Sequence, residues 1–388
     1  MRRDFAQAFA SFAGILDTSF MMPIIALYAI SLGASLPQAG IIAALYSIAA
    51  IPASIIAGLL VDRVGRKRTL TLGLMWDAFV VFLYGYVSSY HQLAILRVLH
   101  AFGGSLVFPA LFAMARESDG EGKNNIVKVL SSMALAIAIG SATAGVLTAR
   151  LGYKASFAIL AFIIGLSALI STTLPETLGE RSSEKGVNSW RLLGEFKYNV
   201  FTGLWLIFFL YVALGIMVGG LASSLVKGEL VDERSARMIT GIGFGFSSIV
   251  ASVFFFIHGK MTLKAGPQKV AAYSSIISFS AFLLGIVVRT PGLLLGTLGA
   301  FGIALSGLML ASTLLVTEVP KEVRGTSVGL QQVFNIVGVS IGSPIGGFIA
   351  LVGTKLVLLS AGFAVFIGGV GVFLMDKLLR RFGDENVT

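Results

Sequence analysis

Long apolar runs recur twelve times along this chain, each close to the roughly 20 residues a helix needs to cross the hydrocarbon core of a bilayer. They fall at about 5–31, 38–61, 69–88, 92–115, 125–149, 154–174, 199–224, 237–258, 268–289, 292–316, 326–352 and 356–378. With 56% hydrophobic and only 12% charged residues in 388, and a mean hydropathy of +0.90, the chain cannot wrap this much apolar surface inside a water-soluble core. In lipid every backbone N–H and C=O must be bonded within the chain, so runs of this length read as spanning α-helices. The expected fold class is an all-α integral membrane protein with twelve transmembrane helices.

The basic residues orient those helices. Of 29 lysines and arginines, 21 fall in one alternate set of loops and termini, 7 in the other, and Arg97 lies inside a span. Short basic loops stay on the inner side, so both termini are expected to be cytoplasmic. The same asymmetry accounts for the net charge of +10 as topology, without a nucleic-acid partner. Arg2 and Arg3 ahead of an apolar run imitate a secretion signal, but the run continues past Asp17 and Pro23 without a cleavage site, so the first span is expected to be retained.

The chain also repeats itself. Gly58-Leu-Leu-Val-Asp62-Arg63-Val-Gly65-Arg66-Lys67 returns 201 positions later as Gly259 to Lys269, where Leu263 takes the place of Asp62. Gly140 to Gly145 returns as Gly342 to Gly347, and Glu117 as Glu318. The longest polar stretch, Pro175 to Lys197, lies between six spans and six. The organisation read from this is an N-terminal six-helix bundle (1–174), a cytoplasmic linker (175–198) and a C-terminal six-helix bundle (199–388). Cysteine is absent, which removes disulfides and thiolate metal sites. No metal-ligand cluster, nucleophile-base pattern or phosphate-binding loop is evident, so an enzyme is not expected, nor is a cofactor or a bound metal.

Gly58-xxx-Asp62-Arg63-x-Gly65-Arg66-Lys67 resembles, residue for residue, the signature of the loop between spans 2 and 3 in the major facilitator superfamily. Arg97-xx-His100-xx-Gly103 resembles that family's span 4 signature, with His100 where glutamine is common. Pro175-Glu176-Thr177 and Glu318-x-Pro320-xxx-Arg324-Gly325 resemble its punctuation. The resemblance covers essentially the whole chain and implies two pseudo-symmetric six-helix bundles rocking around a central cavity. Leu16-Asp17-Thr18 with Pro23 looks most like the 12-helix drug:proton antiporters, although span 5 lacks that group's proline. An acid in span 1 with an arginine in span 4 is also similar to proton-coupled sugar porters.

A carboxylate within a span is costly and faces a cavity or a partner. Asp17 is roughly 18 Å from the inner helix end at Phe5 and is the expected proton carrier, with Arg97 and His100 as partners. Counted from Arg116, those two lie roughly 28 and 24 Å up, higher than Asp17, so a direct bond is not assured. In the conformational latch that the resemblance implies, Asp62 accepts N–H groups at the start of span 11 near Thr326 and Ser327. Gly58 permits the approach, Arg66 braces the acid, and Arg63 and Gly65 complete the motif. Asp77 in span 3 reads as a structural hydrogen bond. The second half offers no acid or base deep in a span. Candidate cavity residues are Phe20, Met21, Tyr46, Phe108, Tyr211, Met309, Gln331, Phe334 and Asn335, a set rich in aromatic and thioether side chains.

The function expected is proton-coupled secondary transport by alternating access, exporting small amphipathic or lipophilic compounds from the cell as a plasma-membrane monomer. The alternatives are a proton-coupled importer of sugars or organic solutes, and a non-transporting receptor or scaffold. The expected partners are a small-molecule substrate, protons and the bilayer.

Overall fold

The computed structural model describes residues 2–22, 24–34, 36–117, 122–178, 189–227, 233–285 and 291–385. Among these there is no strand. The helices are α1 (Arg2–Met21), α2 (Ile25–Ser31), α3 (Leu36–Val64), α4 (Arg66–Tyr84), α5 (Tyr90–Arg116), α6 (Gly122–Ser171), α7 (Ser189–Glu195), α8 (Lys197–Lys227), α9 (Glu233–Ala265), α10 (Pro267–Gly285), α11 (Pro291–Val316), α12 (Arg324–Ala350) and α13 (Thr354–Glu385). The all-α class follows from the sequence as expected. Nine segments among the described residues are each long and apolar enough to cross a membrane. The expected spans 1, 3 and 9 correspond to α1 with α2, to α4 and to α10.

Helix boundaries follow local chemistry. The first span is split, with Met22 and Ile24 in a turn between α1 and α2; Met22 precedes a proline, a position that disfavours the helical conformation. Pro23 itself lies outside the described residues. The long α6 contains two candidate spans, Asn124–Thr148 and Arg150–Ser171, and its helical path breaks near their junction at Gly152, whose φ is 74°. The Ser89 side chain accepts the Gln92 N–H and caps α5.

The chain forms two compact units. One comprises Met1–Lys197 with Thr317–Val333; the other comprises Tyr198–Val316 with Phe334–Thr388. Helix α12 is therefore divided, its first ten residues clustering with the first unit. Most of the linker's polar residues, Glu180 to Asn188, lie outside the described residues.

Both units use the same pairings. In the first, α1 and α4 pack on the two halves of α6, while α3 and α4 pack on α5. In the second, α9 and α10 pack on α11, α10 packs on α13, and α8 lies against the later part of α12. Ser11 and Ser19 stitch α1 to α6 by donating to the carbonyls of Val129 and Ala136. Their second-unit analogue is a glycine contact. A side chain at Gly342 would lie 2.2 Å from the Val212 carbonyl, so α8 and α12 approach almost backbone to backbone. Outward faces carry large apolar side chains such as Phe162, Leu284 and Phe348, as expected where lipid is the solvent. The deeply buried α5 lies at the centre of the first unit and carries Arg97, His100, Gly103 and Gly104.

Candidate functional site

Within the first unit, α1, α4 and α5 bring Asp17, Asp77 and His100 together. The His100 Nε2 lies 2.9 Å from Asp17 Oδ2 and 3.8 Å from Asp77 Oδ1, and all three side chains are at most 1% exposed. The gap in height expected between Asp17 and His100 is absent because α1 starts at Arg2, three residues before Phe5. At 1.5 Å per residue, Asp17 is then roughly 22 Å from its helix start and His100 roughly 24 Å from Arg116. The other Asp17 oxygen accepts the N–H and hydroxyl of Thr18. On the far side of the imidazole, the Tyr84 hydroxyl is 3.4 Å from Nδ1, and the Tyr46 ring packs edge-on at 5.1 Å.

Arg97 sits one turn higher and does not bond Asp17. Its Nη2 donates to the Ala43 carbonyl at 2.9 Å, its Nε reaches the Ile42 carbonyl at 3.4 Å, and its guanidinium lies 5.0 Å from the centre of the Tyr46 ring. It makes no ion pair among the described residues, so of the partners expected for Asp17 only His100 is in direct contact, with Arg97 held on α3. The three donor atoms of Asp17, Asp77 and His100 all lie within 4.8 Å of one another. That spacing suits shared protons, and it is equally the spacing of a three-ligand metal site completed by water, so the cluster is one that the sequence did not reveal.

Asp77, expected to make a structural hydrogen bond, lies with its carboxyl group against the backbone of Gly103 and Gly104 on α5. The Gly104 N–H approaches, but neither oxygen has a hydrogen-bond partner of normal geometry. The second unit has one buried histidine, His258, seven residues from the end of α9. Helix α9 runs on through Lys260 and Lys264 to Ala265, which places His258 inside it, with Nδ1 3.0 Å from the Ser306 hydroxyl.

At the C-terminal end of α3, Asp62 caps the first turn of α12. Its Oδ1 accepts the Gly325 N–H at 2.8 Å, and its Oδ2 accepts the N–H and hydroxyl of Thr326, each at 2.7 Å. These are the otherwise unpaired N–H groups of a helix start, and the helix dipole adds to the attraction. A side chain at Gly58 would lie 2.6 Å from the Gly325 carbonyl, so glycine is required for the approach. The fully buried Arg66 lies 3.5 Å from Asp62 and 3.2 Å from Glu117, and donates to the carbonyls of Val61 and Lys321. Arg324 bonds the same Glu117 oxygen at 2.9 Å. Arg63 is exposed. Gly65, with φ of 115°, turns the chain into α4, where Glu176 accepts the Arg66 N–H. Glu117, Glu176 and Arg324 were visible in the sequence only as punctuation. Their signal was recurrence at the repeat interval, or a place beside the loop motif.

The expected cavity residues divide between the units. In the first, Phe20 and Met21 are fully buried, Met21 Sδ faces Arg97, Phe108 packs near Phe112, Tyr46 lies between Arg97 and His100, and Gln331 is buried. In the second, the Tyr211 hydroxyl pairs with the Asn335 side chain, Phe334 meets Phe208 edge-on, and Met309 is buried.

Residues 8–232 match the sequence profile of the Major Facilitator Superfamily. This chain belongs to that superfamily. It is a multi-pass membrane transporter and takes a small-molecule substrate. Multidrug resistance protein 1 of Bacillus subtilis is 29% identical over 328 residues, covering 80% of each chain. An uncharacterized MFS-type transporter of Methanocaldococcus jannaschii is 25% identical over 382 residues, covering 95% of this chain and 96% of its own. The crystal structure of the human organic anion transporter MFSD10 (TETRAN) shares the fold, with a TM-score of 0.75 at 13% identity, covering 96% of this chain and 99% of that one.

Proposed function

We propose that this superfamily member exports small amphipathic or lipophilic compounds in exchange for protons. The observation that carries the reading is the buried Asp17–His100 pair in the first unit. A carboxylate and an imidazole at hydrogen-bond distance, both out of reach of bulk water, can take up or release a proton when their surroundings change. The name of the B. subtilis relative favours efflux of drug-like compounds. The aromatic and thioether character of the expected cavity set favours a lipophilic substrate, since a sugar site needs many more hydrogen-bond partners.

In this reading the protein works by alternating access as a monomer in the plasma membrane, with both termini cytoplasmic. Asp17 carries the proton, His100 holds and orients it, and Arg97 sets the local field from one turn above. The bonds from Asp62 to the start of α12 form a latch that must open once per cycle.

The test is flux of ethidium and a panel of other lipophilic dyes in proteoliposomes under an imposed pH gradient. Native protein should concentrate at least one dye only while the gradient lasts. If no dye moves, the export reading falls, and sugars and organic anions become the substrates to screen.

A further inference from the structure

We propose that Asp77 is a second proton-binding carboxylate of the Asp17–His100 site, so that the buried cluster exchanges two protons in each cycle. This rests on the proton-coupling reading and extends it to stoichiometry. His100 presents one nitrogen, Nε2, to both carboxylates, at 2.9 Å from Asp17 and 3.8 Å from Asp77. One N–H can complete only one of those bonds, and it completes the bond to Asp17. The Asp77 oxygens are left buried without a well-formed partner. An ionised carboxylate in that condition is strongly disfavoured, and a proton of its own is the simplest remedy.

Of the ionisable groups that face Asp77, only His100 lies at ion-pair distance, 3.8 Å, and its Nε2–H already serves Asp17. These groups are Asp17 from α1, Tyr46 from α3, Tyr84 from its own helix, and Arg97 and His100 from α5. Helix α6, which also packs on α4, brings no charged group to the cluster among the described residues. Asp17 repels a second negative charge, and Arg97 is tied to the carbonyls of Ile42 and Ala43. Two carboxylates on one imidazole titrate as a coupled set. In the loaded form Asp77 is a carboxylic acid and one further proton is held by the Asp17–His100 pair. Release leaves two carboxylates and a neutral imidazole, and delivers two protons to water.

The repeat argues against a packing role for the acid. The residue 201 positions on is Ser278, at the matching place where α10 meets α11. Its hydroxyl donates to the Ala300 carbonyl and accepts the Ala304 N–H at 3.1 Å. That helix contact is thus completed by a small neutral side chain, and a carboxylate adds nothing to it.

The test is infrared titration of the lipid-reconstituted protein with pH in water and in heavy water. Native-minus-variant difference spectra, which cancel the other carboxylates, should show two protonation steps for the cluster. Asp77→Ser should lose the step reported by the carboxylic-acid C=O stretch and keep the other; Asp17→Asn should do the reverse. Serine is chosen because Ser278 shows that it satisfies such a site, and Asp77→Asn provides a variant of unchanged shape. A single native step, two steps unaffected by either Asp77 variant, or a band that answers to added Mn2+ and not to pH would overturn the proposal. Dye flux is scored separately, so a protein that moves no dye yet keeps both steps refutes only the export reading.

Discussion

The two units share a plan and differ in their ionisable groups. Where the first carries Asp62 and Asp77, the second carries Leu263 and Ser278 at the same interval. Asp62 caps α12, whereas Leu263 is 59% exposed. Backbone features survive where side chains have diverged: Gly65 and Gly266 both hold positive φ, 115° and 83°, at the turn between equivalent helices. The pairings of helices are kept as well. Duplication thus preserves what the fold needs, and the acids present in one copy alone mark what the fold does not need.

The sharpest way to break this comparison is to remove the two buried histidines in turn. His100→Ala deletes the partner of a buried carboxylate and should reduce gradient-driven dye flux to that of protein-free vesicles. His258→Ala removes a bond to Ser306, whose hydroxyl also donates to the Ile303 carbonyl, and should cost about 1 kcal/mol of stability with flux retained. Equal loss of flux in both would contradict the assignment of proton chemistry to the first unit.

The next comparison is at the loops. Asp62→Ala removes three bonds to a charged acceptor, each worth about 1.5–3 kcal/mol, and leaves α12 uncapped. Cysteine placed at Ser327 should become more reactive to a water-soluble thiol reagent in that variant, with Leu263→Ala as the unchanged control. The backbone strain at the paired glycines is a smaller effect. Gly266→Ala should lower stability by about 1–2 kcal/mol, the usual penalty for a side chain at positive φ. Gly65→Ala should lower it further, since a Cβ there would lie 2.4 Å from Glu176 Oε2. Thermal unfolding in detergent checks both, and the order should be Gly65→Ala below Gly266→Ala.

Much of this was legible in the sequence because lipid imposes a simple code. A run of about 20 apolar residues must be helix, a short basic loop must face inward, and a charge inside a span needs a reason. Asp17, Asp62 and Arg66 were found by that code together with the loop motif. Distances between spans were less legible, because three residues at the start of α1 shift Asp17 by roughly 4.5 Å. That shift decides whether Asp17 meets His100 or misses it. The surroundings of Asp77 were illegible for a different reason: a polar residue in a span looks the same in sequence whether its bonds are well formed or poor. The place of His258 inside a helix was illegible because α9 continues past Lys260 and Lys264 to Ala265.

The most direct measurement compares native protein with Asp17→Asn in two assays on the same proteoliposomes: exchange of ethidium across the bilayer without a pH gradient, and its accumulation driven by one. If Asp17 carries the coupled proton, the variant should keep exchange and lose accumulation. Accumulation at the native level, or loss of exchange together with accumulation, would contradict the account.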